Sequence, residues 1–173
     1  MSAPLDASIL DGLIRNPPFH QWMGVTASAV AEDRVVLSLP PNPDFVGTPF
    51  IPAVHGGIVA ALIDLAGGAA LFVRLQFPTP TIDMRVDYLR PAIAGKPLHA
   101  EARVKALGKT VAFVDVDVFQ PLPGGETRLI SRIARGRSGD VDVTDEEGRL
   151  VATGRCAYSV KDRDQGPRGF PIG

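Results

Sequence analysis

The sequence predicts an α+β domain in which an antiparallel sheet wraps one long central helix. Three observations carry this. Residues 54–75, VHGGIVAALIDLAGGAALFVRL, are apolar nearly all round at helical length, so protein must cover that helix on most sides. After it come runs of alternating apolar and polar residues joined by short turns, the pattern of antiparallel strands. At 173 residues, 45% hydrophobic and 21% charged, the chain suffices for one domain with a sizeable core.

Taken in order, the chain divides into an N-terminal helix and entry segment over 1–18, a main domain over 19–160 with an insertion at about 120–140, and a tail over 161–173. In LDASILDGLIR, Leu5, Ile9, Leu13 and Ile14 lie near one face, an amphipathic helix that stops before Pro17 and Pro18. Phe19 to Met23 leads into segments 24–30 and 34–39, which are expected to pair around Glu32 and Asp33. Residues 40–52 hold too many prolines for regular structure and deliver the chain to His55.

Beyond the helix, residues 77–80 break the chain, and Thr81 to Leu89 forms a strand ending at Arg90 and Pro91. Strands over 99–106 and 111–119 follow, then a hairpin over 141–143 and 150–160, so the sheet is expected to be a meander of four to six strands. Residues 120–140 read as a short helix, an extra strand or a mobile lid. Their Arg128, Arg132, Arg135 and Arg137 suit either phosphate groups or a solvated surface. The glycine- and proline-rich tail is expected to be poorly ordered.

Charge and composition narrow the partners. A formal net charge of −1, with no long basic run, argues against nucleic acid and for a small ligand. The lone Cys156 excludes an internal disulfide and a cysteine-based zinc cluster, and its strand-like setting reads as core filler rather than a nucleophile. No metal or cofactor is expected. His20 and His99 read as surface residues. The N-terminus lacks a basic segment followed by a long apolar stretch, and His55, Asp64 and Arg74 bound or interrupt the apolar helix, so neither a signal peptide nor a membrane span is expected. The cytoplasm is the expected location.

Chemistry concentrates in the central helix. Gly56 and Gly57 leave the first-turn amides unshielded, and those amides lack intrahelical acceptors, so they can hold an oxyanion with help from the helix dipole. The alternative is that they only allow a tight entry into the helix. Asp64 is costly in such a helix unless paired, hydrogen-bonded or employed. It lies nine residues after His55, about 900° of rotation and roughly 13 to 14 Å of rise, so the two face apart. If both serve one site, two copies of the helix must meet across a two-fold axis. Otherwise Asp64 hydrogen-bonds a neighbouring strand. Gly67 and Gly68 each cost roughly 1 kcal/mol relative to Ala, which suggests close approach by a partner helix or a ligand's acyl group, or else loose packing.

HGGIVAALID resembles the signature of hotdog-fold acyl-CoA thioesterases of the phenylacetate-pathway and thioesterase-superfamily type, in which HGG is followed by an acid at this spacing. The likeness continues through TIDMRVDYLRPA, GKTVAFVDVDV and DEEGRLVATG, covering roughly residues 19–160. It implies a hotdog fold whose protomers join their sheets edge to edge as a homodimer, often doubled into a homotetramer. It also implies an acyl-CoA substrate with an aryl or medium-chain acyl group. By the family pattern the Gly56 amide polarises the thioester carbonyl, His55 supports the helix start, and Asp64 of the opposite protomer acts as base or nucleophile. Thr81 matches the residue that orients the water, Gly57 lies in the substrate-binding turn, and Arg90 and Pro91 lie where CoA is held.

Two features depart from the family. Pro49 stands where some relatives carry an Asn that contacts the carbonyl, and residues 120–140 interrupt a direct strand-to-turn passage. Two other functions share the fold: a non-catalytic acyl-CoA or ligand-binding protein, and a hydratase or dehydratase. The latter is disfavoured because Asn42 and Pro43 lie twelve or more residues before His55.

Overall fold

The computed structural model describes residues 6–31, 34–122 and 148–161. Helix α1 (Ala7–Ile14) is capped by Asp6, whose carboxylate accepts from the Ser8 and Ile9 amides at 2.9 Å each. Those bonds, with the Ser8 hydroxyl, hold the Asp6 carboxyl below its ordinary range. Asp11 then accepts from the Ala27 amide at 2.9 Å and ties α1 to the first strand. The stretch expected only to lead inward is a helix of its own, α2 (Pro18–Met23). Proline is tolerated at its first position, and Gly24 closes it in the left-handed region at φ 70°.

Strands β1 (Thr26–Ala31) and β2 (Arg34–Leu39) pair antiparallel as expected, while residues 32 and 33 lie outside the described set. The proline-rich passage is more regular than its composition suggests. After a turn of 3-10 helix at Pro43–Phe45, β3 (Val46–Thr48) pairs with β4 (Ile51–Val54) in a separate two-stranded ribbon. Pro49 sits between those short strands, where it interrupts no longer ladder.

Helix α3 (Gly56–Leu75) follows, and strands β5 (Thr81–Tyr88), β6 (Leu98–Leu107), β7 (Val111–Pro121) and β8 (Gly148–Ser159) complete a six-stranded sheet in the order β1-β2-β6-β7-β8-β5. The expected plain meander is therefore corrected. β5 follows the helix in sequence but among the described residues pairs only with β8 at the far edge, and β6 crosses back to β2. The reason lies in the helix, which carries the chain across the sheet before the last strands close it. Of the predicted insertion, Gln120 and Pro121 extend β7, while 123–140, the 141–143 strand and the tail from 162 lie outside the described residues.

The core forms between α3 and one face of the sheet. Val59, Leu62, Ile63, Ala66, Ala70 and Leu71 meet Val35, Leu37, Ala100, Ala102, Val114 and Val116, all buried. By length and hydropathy α3 could cross a membrane; here its buried side is covered by strands. The opposite face of the sheet joins a small apolar cluster of Val36 and Phe119 to charged residues. Glu101 is 1% exposed, with Arg34 Nε at 3.0 Å and Arg103 Nε at 2.7 Å. His99, expected at the surface, is instead buried with Nδ1 2.7 Å from the Ser38 hydroxyl, because its strand sits mid-sheet.

Candidate active site

The start of α3 is anchored from several directions. The His55 amide donates to the Phe45 carbonyl at 2.7 Å, and the Val54 amide to the Ala92 carbonyl at 2.8 Å. Trp22 of α2 packs on Phe45 with ring centroids 5.2 Å apart. Gln120 clamps the backbone of Ile93 from both sides, accepting from its amide at 2.9 Å and donating to its carbonyl at 2.8 Å. Gln120 is 3% exposed, so this clamp is part of the core.

His55 caps the helix. Its Nδ1 accepts from the Gly57 amide at 2.9 Å, which places the ring proton on Nε2 in the neutral form. The Gly57 amide, expected among the substrate contacts, is thus already engaged by its own chain. The Gly56 amide differs: among the described residues no acceptor meets it. Tyr88, on β5, donates its hydroxyl to the Gly56 carbonyl at 2.9 Å. Gly56, Tyr88, Arg90 and Pro91 line one cavity of about 370 Å³, with Val54, Val59 and Val151 behind them. Arg90 is pinned there by Nη1 donating to the Leu150 carbonyl at 3.0 Å.

Asp64 lies about 12 Å further along the helix, in a different cavity of about 400 Å³. The Thr81 hydroxyl, on the neighbouring strand β5, donates to its Oδ1 at 2.7 Å, which brings these two predicted residues together. Leu10, Leu13 and Ile14 of α1, with Leu65, Phe72 and Pro78, give this cavity apolar walls. His20, expected at the surface, is half-buried at its edge, with Nδ1 donating to the Ile14 carbonyl at 2.8 Å.

Tyr158 was invisible to sequence reasoning. Its hydroxyl donates to the Asp64 carbonyl oxygen at 2.8 Å and lies 3.5 Å from Oδ1. Burial, then the neighbouring Cys156, pushes this phenol far above its ordinary value, so it stays protonated and keeps its hydrogen to donate. Tyr158 is also what approaches Gly67: a Cβ there would run into its hydroxyl. The close approach inferred from that glycine comes from the protein's own sheet rather than from a partner helix or ligand. Cys156 is filler, as expected; burial raises its thiol to about 11, leaving it un-ionised at neutral pH.

One helix therefore presents an amide without an acceptor among the described residues at its start and a hydrogen-bonded carboxylate about two turns later, and the two residues line different cavities. The family model described as the thioesterase superfamily matches residues 52–123, which include both groups. A Halobacterium salinarum protein named as an esterase is 30% identical over 161 residues, covering 89% of this chain and 91% of its own. The chain belongs to the thioesterase superfamily. Human acyl-coenzyme A thioesterase 13 is 28% identical over 131 residues, covering 75% of this chain and 88% of its own. Zebrafish thioesterase superfamily member 2 superposes with a TM-score of 0.67 at 21% identity, over 90% of this chain and 98% of that one, a likeness of fold. This superfamily member is a thioester hydrolase of hotdog fold, with one long helix against an antiparallel sheet.

Proposed function

We propose that the protein hydrolyses acyl-CoA thioesters carrying an aryl or medium-length acyl group, in a cytoplasmic setting, as a homodimer or a homotetramer built from such dimers. One observation carries the reading. Asp64 is held by Thr81 at the edge of an apolar cavity, while the free Gly56 amide opens elsewhere. A single chain cannot aim both at one carbonyl, so the partner's helix supplies the second half.

The free edge of β5 supports this pairing. It is an eight-residue strand without proline, hydrogen-bonded on one side only among the described residues, and it exposes Ile82 and Tyr88. Such an edge is a template for pairing with another chain. Antiparallel pairing there extends the sheet across the dimer.

In the reaction, the Gly56 N–H of one protomer binds the thioester oxygen as negative charge develops on it. Asp64 of the other takes a proton from water as the water oxygen bonds to the carbonyl carbon. Thr81, donating to Oδ1, leaves the other carboxylate oxygen for the water. Collapse of the tetrahedral intermediate breaks the carbon–sulfur bond, and CoA leaves as a thiolate that then takes up a proton. If Asp64 attacks directly, a mixed anhydride forms and water cleaves it. Arg90 and Pro91, beside Gly56, place the CoA portion at that end, and the walls around Asp64 take the acyl group. No step needs a metal.

A panel of aryl and straight-chain acyl-CoAs with a thiol reagent tests the assignment. CoA release is expected from wild type, and Asp64→Asn is expected to lose about 10²- to 10⁴-fold in kcat while remaining assembled. Release from none of the panel by a folded, assembled protein sinks the reading and leaves ligand binding without turnover. A single turnover in ¹⁸O-labelled water separates the two routes, since only direct attack leaves label in Asp64.

A further inference from the structure

The peptide unit joining Gly56 to Gly57 is gripped at both ends. Its carbonyl accepts from the Tyr88 hydroxyl at 2.9 Å, and its N–H donates to His55 Nδ1 at 2.9 Å. Glycine leaves room for both grips. A Cβ on Gly57 would come within 3.0 Å of His55 Nδ1, and one on Gly56 within 3.3 Å of the Tyr88 ring. The two motifs HGG and DYLRP, distant in sequence, are thus parts of one hydrogen-bonded device.

We infer that Tyr88 is a positioning residue for the thioesterase reaction, acting through this peptide to keep the neighbouring Gly56 N–H aimed into its cavity. The inference rests on the role proposed above for Gly56. Fixing the 56–57 peptide plane holds ψ of Gly56 and φ of Gly57, and so removes one of the two backbone freedoms of Gly56, a residue with no Cβ to restrict it. An unrestrained glycine at the helix start would let its amide wander, and an oxyanion donor is effective only when it is oriented before charge develops. The two bonds also reinforce one another. A donor on the carbonyl polarises the peptide and makes its N–H a stronger donor to His55.

The test uses the full chain as Tyr88→Phe, which removes only the hydroxyl, and as Tyr88→Ala, which removes the ring as well. Tyr88 is 56% exposed, so folding does not depend on its hydroxyl. Two readouts are taken: amide hydrogen exchange at Gly57, and kcat and KM with octanoyl-CoA. For Tyr88→Phe the exchange is expected to speed up about tenfold and kcat to fall by about tenfold, with KM changed less than about twofold. Unchanged exchange and kcat in Tyr88→Phe, with losses confined to Tyr88→Ala, overturn the inference, because the ring then merely packs. A rise in KM alone also overturns it, since Tyr88 would then touch substrate. If wild type releases no CoA from any acyl-CoA, the proposed function fails on its own, and Gly57 exchange still decides whether Tyr88 orders the turn.

Discussion

The Tyr158 hydroxyl reaches the Asp64 carbonyl oxygen at 2.8 Å across a contact that only a glycine at position 67 permits. A methyl group on Gly67 would meet that hydroxyl and, at 3.0 Å, the ring carbon bearing it. Gly67→Ala gains roughly 1 kcal/mol of helix propensity but overpacks the core, with an expected net loss of about 1 to 3 kcal/mol in urea unfolding. Tyr158→Phe alone is expected to cost about 1 kcal/mol. The double variant should be more stable than the sum of the two losses, because removing the hydroxyl clears part of the clash; strict additivity would contradict the contact.

The Thr81 hydroxyl is the one side-chain donor at 2.7 Å to the Asp64 carboxylate among the described residues. Thr81→Val keeps the shape and removes the bond. The expected result is a fall in kcat of about tenfold or more with little change in KM, since hydrogen bonds to charged groups are worth about 1.5 to 3 kcal/mol. Thr81→Ser should restore most of the rate in the same assay.

Asp64, Gly56 and His55 stood out as candidates because helical spacing and motif order are local properties of the chain, whereas Thr81 came only from the family resemblance. Tyr158 and Tyr88 were not, because their importance comes from which strand the topology brings beside the helix. Gly67 did signal a close approach, yet nothing in the sequence says from which side. The β3 and β4 ribbon was hidden by Pro49 and Pro52, which turn and edge positions tolerate. The position of β5 at the sheet edge was hidden for a similar reason: alternation identifies a strand without naming its neighbours.

Phe72 and Leu65 line the Asp64 cavity opposite the α1 residues Leu10, Leu13 and Ile14. Phe72 is half-buried, so Phe72→Ala enlarges the cavity without removing a fully enclosed core residue. The acyl-CoA profile is expected to shift by two or more carbons toward longer chains, at roughly 1 kcal/mol of discrimination per methylene. An unchanged profile would move the acyl group to another cavity.

Asp117 faces Glu101 directly across the β6 and β7 ladder, with Asp115 on the same strand. Burial, and then Glu101, raises the Asp117 carboxyl above its ordinary 3.8, although Arg103 and Lys105 partly offset this. A raised acid binds its proton more tightly in the folded state. Its ionisation therefore costs nothing below the unfolded value and destabilises increasingly as pH rises through the folded value. Asp117→Asn is expected to raise the Tm at about pH 7, with the gain vanishing at about pH 3. A gain that persisted in acid would point to packing instead of charge.

Subunit complementation tests the shared site most directly. Gly56→Pro removes the amide donor at the first helical position, where proline is tolerated and its Cβ, 3.3 Å from the exposed Tyr88 ring, asks only a small shift of that ring; Asp64→Asn removes the base. Each homodimer is expected to be inactive. When the two are unfolded together and refolded as a mixture, the mixed dimer has one site with both defects and one with neither. That intact site pairs Gly56 of the Asp64→Asn chain with Asp64 of the Gly56→Pro chain. With random pairing about half the dimers are mixed, and each carries one working site, so about a quarter of wild-type activity should return. A site contained within one chain could never recover this way, because every chain in the mixture lacks one of its two groups.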